Sequence, residues 1–364
     1  MSTAPKQAPR AGTDAPARRR RASRALRTPG GLSVRLDVRA LTVVVVLLAA
    51  ALGAGVLLIG TGEFPISTGD VVRTLLGDGN PGQELVVIDM RLPRVLVALL
   101  VGASLGLGGA LFQALSRNPL GSPDILGLSQ GATAGALVVI VLVSGDARQV
   151  TLGALAGGLA TGLAIYLLAW KRGVHGYRLV LVGIGMSAIM TAVNGYLLTK
   201  ADMVDAARAV VWMTGSLSGR DWAQVWPLLA LCAVLVPLVL GNGRALRMME
   251  MGDDVSYALG VRVERVRLLL MLAAVLLTAA ATAAAGPVSF VALTAPQLAR
   301  RLTRSPGPNL LPSLCMGATL LVTADWTSQR VFGADQLPVG VVTGVLGGVY
   351  LLWLLVTERR AGRI

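Results

Sequence analysis

The chain has 364 residues, of which 54% are hydrophobic and only 14% are charged. Charges this sparse cannot give a water-soluble protein of this length a solvated surface, so the composition excludes a soluble protein. The apolar residues instead fall into successive runs of about 20, the length that crosses a bilayer core as a helix. Because lipid offers the backbone no hydrogen-bond partners, these runs predict an all-α polytopic membrane protein.

The N-terminal 39 residues hold much of the basic charge. Ten Lys or Arg stand against two Asp there, so this tail carries +8 of the net charge of +14. A segment rich in Pro, Ala and Arg has little apolar surface to bury, and we expect residues 1–39 to form a disordered cytoplasmic tail. Its charge favours membrane lipid as a partner, and no nucleic acid is expected. The long apolar run that follows predicts an uncleaved anchor.

Ten apolar runs follow this tail in chain order. We predict transmembrane helices at residues 40–61, 91–115, 122–143, 149–170, 178–199, 223–241, 266–285, 288–302, 310–330 and 338–357. The connections on one side are basic throughout, whereas those at 62–90 and 200–222 carry at least as many acidic as basic residues. The positive-inside rule therefore places both termini in the cytoplasm, with a membrane domain at 40–358 and a short tail at 359–364.

Glycine recurs at every fourth position in three of the predicted helices. The ridges are Gly102 and Gly106; Gly127, Gly131 and Gly135; and Gly340, Gly344 and Gly348. Small residues at this spacing let helix backbones approach closely in lipid, which supplies no hydrophobic drive for association. The ridges therefore predict a compact helix bundle.

The sequence contains none of the common catalytic or metal-binding patterns. It lacks a G-x-x-x-x-G-K-[ST] phosphate loop, a pair of His on one helix and a Ser nucleophile elbow. Its one histidine, His175, and its two widely separated cysteines, Cys232 and Cys315, do not make a zinc or redox motif. We therefore expect no catalytic residue, no metal site and no bound cofactor, and no ATP hydrolysis by this chain.

Ionisable residues are sparse within the predicted helices, and Asp325 is the clearest one. A carrier driven by a proton or sodium gradient would usually bury more such groups, because they bind the coupling ion. The sequence therefore disfavours a secondary carrier. We expect Asp325 to pair with a neighbouring hydroxyl or with Arg330.

The predicted cytoplasmic segment at residues 251–267 has the pattern of two short helices. Asp253 is expected to cap the first helix, and Gly260 to end it in the left-handed conformation. Other residues that favour the two helix starts are Asp254, Val261, Arg262 and Glu264. An amphipathic knob on this face is suited to receive force from a separate motor protein; a plain surface helix is the alternative.

Five segments of the sequence, taken in order, resemble one family of membrane permeases. They are Arg91-Leu-Pro-Arg94, Ser116-Arg-Asn-Pro-Leu-Gly-Ser-Pro-Asp-Ile-Leu-Gly127, Leu259-Gly260-Val261, Gly286-Pro-Val-Ser-Phe-Val291 with Pro296 and Arg300-Arg301, and Gln336-Leu-Pro-Val-Gly340. From about residue 40 to 358 the chain resembles the FecCD family of ABC importer permeases, and only the basic tail lies outside. That family takes up ferric siderophores, haem and vitamin B12.

The resemblance implies a ten-helix subunit of the vitamin B12 and siderophore importer type in the bacterial inner membrane. Its expected partners are a second permease chain, two ATP-binding subunits that hold ATP and Mg, and an extracytoplasmic siderophore-binding protein. Residues 117–125, 173–180 and 212–220 look most like the second permease of ferric-enterobactin systems, which favours a heterodimer and a catecholate ferric siderophore. A vitamin B12 or haem permease is the main alternative; an ion-coupled secondary carrier and an intramembrane enzyme are the others.

The resemblance also implies that outer-face arginines dock the binding protein. In this family such arginines meet glutamates of the binding protein, and Arg91 and Arg94 stand at the matching positions. A third arginine, Arg330, matches approximately, because the family spacing from Asp325 points to Gln329. Anchoring of a helix end at the lipid headgroups is the alternative role for Arg91 and Arg94.

Two cytoplasmic features of the family have counterparts in this sequence. The gate corresponds to the turn from Asn118 to Leu120 and to the loop at Gly176 and Tyr177. Tyr177 departs from the small hydroxyl residues that are familiar there, and Gln297 replaces the usual His after the proline of helix eight. The contact with the ATP-binding subunits corresponds to the knob at about residues 252–265, with the residues Asp253, Asp254, Leu259, Gly260, Val261 and Arg262.

Overall fold

A computed structural model describes residues 23–27, 33–62, 64–170, 176–330 and 337–360. Most of these residues are helical. The helices, in chain order, are α1 (Val38–Gly60), α2 (Thr68–Leu75), α3 (Pro81–Ser116), α4 (Leu128–Val143), α5 (Ala147–Ala169), α6 (Gly176–Lys200), α7 (Met203–Met213), α8 (Trp222–Gly241), α9 (Gly243–Met249), α10 (Asp253–Ala258), α11 (Val263–Ala285), α12 (Val291–Thr303), α13 (Leu310–Arg330) and α14 (Val339–Arg360).

The predicted all-α polytopic fold is confirmed. In the described part of the chain, the 7 helices α1, α3, α5, α6, α8, α11 and α13 are long and apolar enough to cross a membrane. α4 and most of α14 are shorter apolar helices, and α12 has 13 residues. Each of the ten predicted apolar runs therefore has a helix as its counterpart.

Several helix boundaries differ from the predicted ones because local capping overrides hydrophobicity. α3 begins at Pro81 rather than at residue 91, since the side chains of Asn80 and Gln83 form a capping box ahead of the apolar run. A π-helical stretch at Leu85–Arg91 joins this start to the rest of α3. α4 begins at Leu128 rather than at residue 122, because Gly127 adopts a φ of +82° and turns the chain. The connections predicted at 62–90 and 200–222 contain the short helices α2 and α7.

α3 lies at the centre of the bundle and packs on α11, α12 and α13. Its ridge of Gly102 and Gly106 presses against the backbone of Gly317 and Ser313 on α13, where a Cβ at either glycine would collide with carbonyl oxygens. This part of the glycine prediction is confirmed. The ridge of α14 behaves differently, because Gly344 and Gly348 face open space within this chain.

The N-terminal tail contains a short antiparallel strand pair that the sequence did not predict. β1 (Ser23–Arg27) pairs with β2 (Ser33–Asp37), and the carboxylate of Asp37 caps α1 at its start. Residues 1–22 and 28–32 lie outside the described residues, so the disorder predicted for 1–39 stays a prediction there. At the other terminus, α14 runs to Arg360, two residues into the predicted tail.

The bundle has two ends with different predicted sites. We call one the basic end; it holds the turn after α3, the helices α9 and α10, and the C-terminal end of α12. Here the guanidinium of Arg39 donates to the carbonyl of Leu302, 2.7 Å away, which fixes the start of α1. The opposite end holds the C-terminal ends of α1 and α13 and the first turns of α3.

Candidate functional site

A buried ion pair joins α3 to α13 at the opposite end of the bundle. The Arg94 guanidinium donates to both carboxylate oxygens of Asp325, with Nε–Oδ2 and Nη2–Oδ1 distances of 2.9 and 2.7 Å. The Asp325 side chain is 1% exposed and that of Arg94 is 19% exposed. A carboxylate this deeply buried requires a charged partner. The predicted pairing with a hydroxyl or with Arg330 is therefore wrong, because helix packing brings Arg94 to Asp325.

Arg91 and Arg94 lie together at this end, as the resemblance implies, but Arg330 does not join them. Arg91 donates to the carbonyls of Ile59 and Phe64, with distances of 2.6 and 2.8 Å. Both arginines line a cavity of about 490 Å³ whose other polar lining residues include Arg220 and Gln329. Arg330 stands instead beside the ring of Trp326, with 6.0 Å between the guanidinium carbon and the ring centroid.

Arg220 is a residue of this cavity that the sequence did not indicate. It precedes α8, and its Nε donates to the carbonyl of Ser216 over 3.3 Å. The sequence placed Arg220 in a connection with balanced charge, and only the shared cavity shows that it lies near Arg91 and Arg94. The sequence offered one indirect hint, because Arg220 ends the 212–220 segment that resembled the enterobactin permeases.

The predicted gate turn forms the C-terminal end of α3 at the basic end. Arg117 adopts the left-handed conformation with a φ of +52° and ends the helix. The side-chain oxygen of Asn118 then accepts from the backbone N–H of Leu120, 2.9 Å away, which closes the turn. We call residues 116–120 the gate turn.

The two loops of the predicted gate are adjacent in the structure. A Cβ at Gly176, the first residue of α6, would lie 2.5 Å from the carbonyl oxygen of Ser116, so only glycine allows this approach. Tyr177 follows with its side chain directed outward, 79% exposed. Residues 171–175 of the same loop, including His175, lie outside the described residues.

Two glutamines connect the gate turn to α12. Gln297 Nε2 donates to the carbonyl of Pro119 over 2.6 Å and to Gln113 Oε1 over 3.0 Å. Gln113, which is buried in α3, in turn donates to the carbonyl of Leu293 over 3.0 Å. The sequence indicated Gln297 only as a departure from the family, and it gave no signal for Gln113. A cavity of about 640 Å³ borders the turn and is lined by Pro119, Leu120, Gln297, Arg300, Arg301, Leu354 and Thr357.

The predicted knob consists of α10 and the turn that follows it. Gly260 has a φ of +82° and ends the helix as predicted. The N–H of Val261 donates to the carbonyl of Ser256 over 3.0 Å, and that of Gly260 to the carbonyl of Tyr257 over 2.9 Å. This is the Schellman arrangement, which satisfies carbonyls that the helix end would otherwise leave unpaired.

Two details of the predicted knob are wrong. Asp253 does not cap α10: Gly252 occupies the cap position with a φ of +120°, and Asp253 is the first helical residue. The second short helix is absent from the described knob, because the chain enters the long helix α11 at Val263, directly after Val261 and Arg262. The short helix that accompanies α10 is α9, on its N-terminal side.

The outward face of the knob is apolar. Large apolar side chains are exposed at four positions, namely Met251, Val255, Tyr257 and Leu259. The polar residue Ser256, in contrast, is fully buried, and its hydroxyl donates to the carbonyl of Gly252 over 2.7 Å. An apolar patch that faces away from the helix bundle is typical of a protein contact surface.

The inward face of the knob carries an ionic cluster that the sequence did not predict. The Asp253 carboxylate accepts from Arg117 Nη2 at 2.6 Å and from Arg267 Nη2 at 2.8 Å to each oxygen. Arg267 also pairs with Glu264, with 3.0 Å between Nη1 and Oε1. Partial burial acts to raise the pKa of Asp253, but the hydrogen bonds and charges of Arg267 and Arg117 outweigh it and hold that pKa below its usual value.

Besides Asp325, the bundle contains a second buried acidic residue, Asp124, on the turn before α4. The sequence did not indicate that it would be buried. Its Oδ1 accepts from the hydroxyl of Ser129 over 2.7 Å, and its Oδ2 is buried. The described part of the chain contains no group of three His, Cys, Asp or Glu arranged to hold a metal ion. The described chemistry is thus that of charge pairing and helix packing.

Known proteins resemble this chain along most of its length. Residues 38–357 match the FecCD transport family. The chain is 46% identical to the ferric enterobactin transport system permease protein FepG of Escherichia coli (strain K12), over 88% of this chain and 98% of that protein. It is 37% identical to the iron(3+)-hydroxamate import system permease protein FhuG of Bacillus subtilis (strain 168), over 86% of this chain and 94% of that protein.

A solved structure extends the comparison to three dimensions. It is described as an inward-facing conformation of a metal-chelate type ABC transporter, and it superimposes with a TM-score of 0.77 at 25% sequence identity. The superposition covers 87% of this chain and 99% of that chain. With its family match, its relatives and its helix bundle in agreement, the chain belongs to the FecCD transport family.

Proposed function

We propose that this chain is the membrane-spanning permease subunit of an ABC importer that moves a ferric siderophore of the catecholate class, such as ferric enterobactin, into the cytoplasm. One observation carries the proposal: the identity of 46% to the ferric enterobactin permease FepG extends over 98% of that protein. The match to the FecCD family at residues 38–357 spans the gate turn and the knob as well as the membrane helices. ATP is hydrolysed on separate partner subunits, and this chain transmits the resulting force.

The orientation follows from the distribution of charge. The basic end faces the cytoplasm, because its connections are rich in Arg and Lys, and both termini lie there. The opposite end then faces the extracytoplasmic side, where a binding protein delivers the chelate. A second permease chain, different from this one, completes the translocation path between the two subunits.

The knob is the surface that receives the ATP-binding subunits. Its outward residues Val255, Tyr257 and Leu259 are exposed and apolar, and they lie at the proposed cytoplasmic end, where a soluble partner can reach them. Asp254, Gly260, Val261 and Arg262 belong to the same contact. Aromatic and aliphatic side chains of this kind are typical of the centre of a protein interface.

We assign docking of the binding protein to Arg91 and Arg94 at the opposite end, and to Arg330, which lies apart from them beside Trp326. Charge at the rim of an interface mainly steers and orients association, so its contribution weakens with salt. Arg91→Glu and Arg330→Glu should each weaken association with the binding protein and reduce its salt dependence, whereas Arg91→Lys, which keeps the charge, should lose less. Association equal to wild type in both Glu variants would leave these arginines as lipid anchors.

Uptake of radiolabelled iron tests the proposed function directly. We would compare wild-type cells, cells that lack this gene and complemented cells under iron starvation, and supply the iron as ferric enterobactin or as a ferric hydroxamate. Loss of ferric enterobactin uptake, restored by the gene, is the expected result. Loss of hydroxamate uptake alone would correct the siderophore class, and normal uptake of both chelates with reduced vitamin B12 or haem uptake would overturn the proposal.

A further inference from the structure

The gate turn and the knob are separate in sequence, but one carboxylate binds both. Asp253 is the first residue of α10, Arg117 is the second residue of the gate turn, and Arg267 belongs to the first turns of α11. We propose that the Arg117–Asp253–Arg267 cluster carries movement of the knob to the gate turn, with Asp253 as the positioning residue. This inference deepens the proposed function and rests on it.

Arg117 is held at two points of the segment that leads into the knob. Its Nη2 donates to the backbone carbonyl of Met249, the last residue of α9, over 2.8 Å, and to Asp253 Oδ1 over 2.6 Å. One guanidinium nitrogen thus bridges the end of α9 and the start of α10. A displacement of either helix pulls or pushes the same side chain.

Arg267 supplies the fixed side of the cluster. Its side chain is 8% exposed, whereas those of Asp253 and Arg117 are 36% and 47% exposed. Because a buried guanidinium loses much of its hydration, it holds a carboxylate more firmly than an exposed one does. Asp253 therefore has one firm partner on α11 and one on the gate turn.

The backbone at Arg117 makes the gate turn sensitive to this side chain. Arg117 occupies the left-handed conformation between Ser116, which contacts Gly176, and Asn118, whose side chain closes the turn. In this proposal, the side chain transmits a shift of the guanidinium to the residue at which α3 ends. Movement is thereby delivered to the point where the two loops of the proposed gate meet.

The two faces of α10 have different roles in this proposal: one contacts the partner subunit and the other binds the gate turn. Val255, Tyr257 and Leu259 are exposed on its outer side, while Asp253 and Ser256 face the rest of the chain. Force applied to the outer side by a partner therefore passes through α10 as a rigid turn of helix. Asp253 is the residue of α10 that binds the gate turn by charge.

Asp253→Asn should remove the link and keep the fold. Arg117 retains the carbonyl of Met249, and Arg267 retains Glu264, so neither guanidinium is left without a partner. In the complete complex with its ATP-binding subunits and binding protein, reconstituted in proteoliposomes, we expect ATP hydrolysis to continue while chelate transported per ATP falls at least fivefold. A purely structural role would lower both rates together and leave their ratio unchanged, which would overturn the inference.

A double-mutant cycle shows whether Arg117 and Asp253 act as one unit. Arg117→Gln and Asp253→Asn should each lower the transport ratio, and the double variant should be no worse than the more severe single variant. Arg265→Gln, at an exposed arginine on the same helix as Arg267, is the matched control and should keep the wild-type ratio. Losses that multiply in the double variant would contradict a shared link.

A distance measurement separates this inference from the identity of the cargo. Spin labels at Leu120→Cys and Tyr177→Cys, both at exposed positions, report the separation of the two gate loops when ATP is added to the complex. The distance should change in the otherwise wild-type chain and stay constant with Asp253→Asn, whichever chelate is imported. An equal change in both, or no change in either, would overturn the link, whereas failure to import a ferric siderophore would overturn only the proposed function.

Discussion

Removal of the charge of Arg94 should destabilise the chain more than removal of the charge of Asp325, although the two side chains form one ion pair. Arg94→Met leaves the Asp325 carboxylate 1% exposed, with the amide of Gln329 at 3.4 Å as its nearest remaining side-chain donor. An uncompensated buried charge of this kind costs about 3–5 kcal/mol. This free-energy cost applies to the folded state alone, because water hydrates the carboxylate in the unfolded chain.

Asp325→Asn has a smaller effect for two physical reasons. The Arg94 side chain is 19% exposed, so its guanidinium keeps access to water, and the new amide oxygen still accepts one hydrogen bond. The loss is then that of a charge-assisted hydrogen bond, about 1.5–3 kcal/mol. The double variant Arg94→Met with Asp325→Leu removes both charges and should lie close to wild type, because a buried ion pair contributes little over apolar groups of similar volume.

Equilibrium unfolding of the purified chain in mixed detergent micelles tests this order. Tryptophan fluorescence is a suitable probe, because Trp326 directly follows Asp325 in α13. Arg91→Met is the matched control, since it unpairs two backbone carbonyls and no charge. Equal losses for Arg94→Met and Asp325→Asn, or a double variant whose loss is the sum of both, would refute the reasoning.

Three further predictions concern the knob and the bundle. Gly260→Val should cost about 1–2 kcal/mol of local stability, because a side chain disfavours the φ of +82°. It should also lower ligand-stimulated ATP hydrolysis in membranes, whereas the control Gly241→Val, at an open helical position, should not. Unchanged hydrolysis in Gly260→Val would contradict this prediction. Gly106→Val should prevent folding by collision with the α13 backbone, measured as loss of monodisperse protein on size exclusion, whereas Gly53→Val on α1 has open space and should fold normally. The pKa of Asp253 is lowered, so its carboxylate stays charged above its ordinary pKa and loses the ion pairs only as the pH falls through the lowered value. The amount of chelate transported per ATP should therefore be constant between about pH 5.5 and 8. A decline across that range would argue against the cluster.

The sequence predicts a helix at each of the ten apolar runs, because apolar length is enough to identify most of them. It fails where polar capping extends a helix beyond its apolar run, as at Pro81, where the side chains of Asn80 and Gln83 start α3 outside the predicted span. It fails again at Asp253, because an acidic residue ahead of a helix resembles a cap, whereas here two arginines bind the carboxylate. Capping and ion pairing use the same residue types, and only the position of the partners separates them.

The long-range parts of the site could not be read from sequence. Arg94 and Asp325 are 231 residues apart, and Arg117 and Asp253 are 136 apart, so nothing local links either pair. The glycine ridge at Gly102 indicated that α3 would pack closely on another helix, but a ridge does not identify that helix. The gate role of the two loops rests on the family resemblance and stays a prediction, although Ser116 and Gly176 lie in contact.

The segment of α3 from Arg94 to Ser116 is held more firmly at its first residue than at its last, and this difference gives the helix a pivot. At Arg94 it is fixed by a buried ion pair, whereas its gate end is held by neutral amide contacts through Gln297 and Gln113 and by the more exposed ion pair of Arg117 with Asp253. From Arg94 to Ser116 the helix is about 33 Å long, so a tilt of about 5° around the fixed end displaces the gate end by about 3 Å. That displacement is more than enough to break the hydrogen bond of 2.6 Å between Gln297 and Pro119. A small tilt of α3 would therefore separate the gate turn from Gln297 and leave the buried ion pair at Arg94 intact.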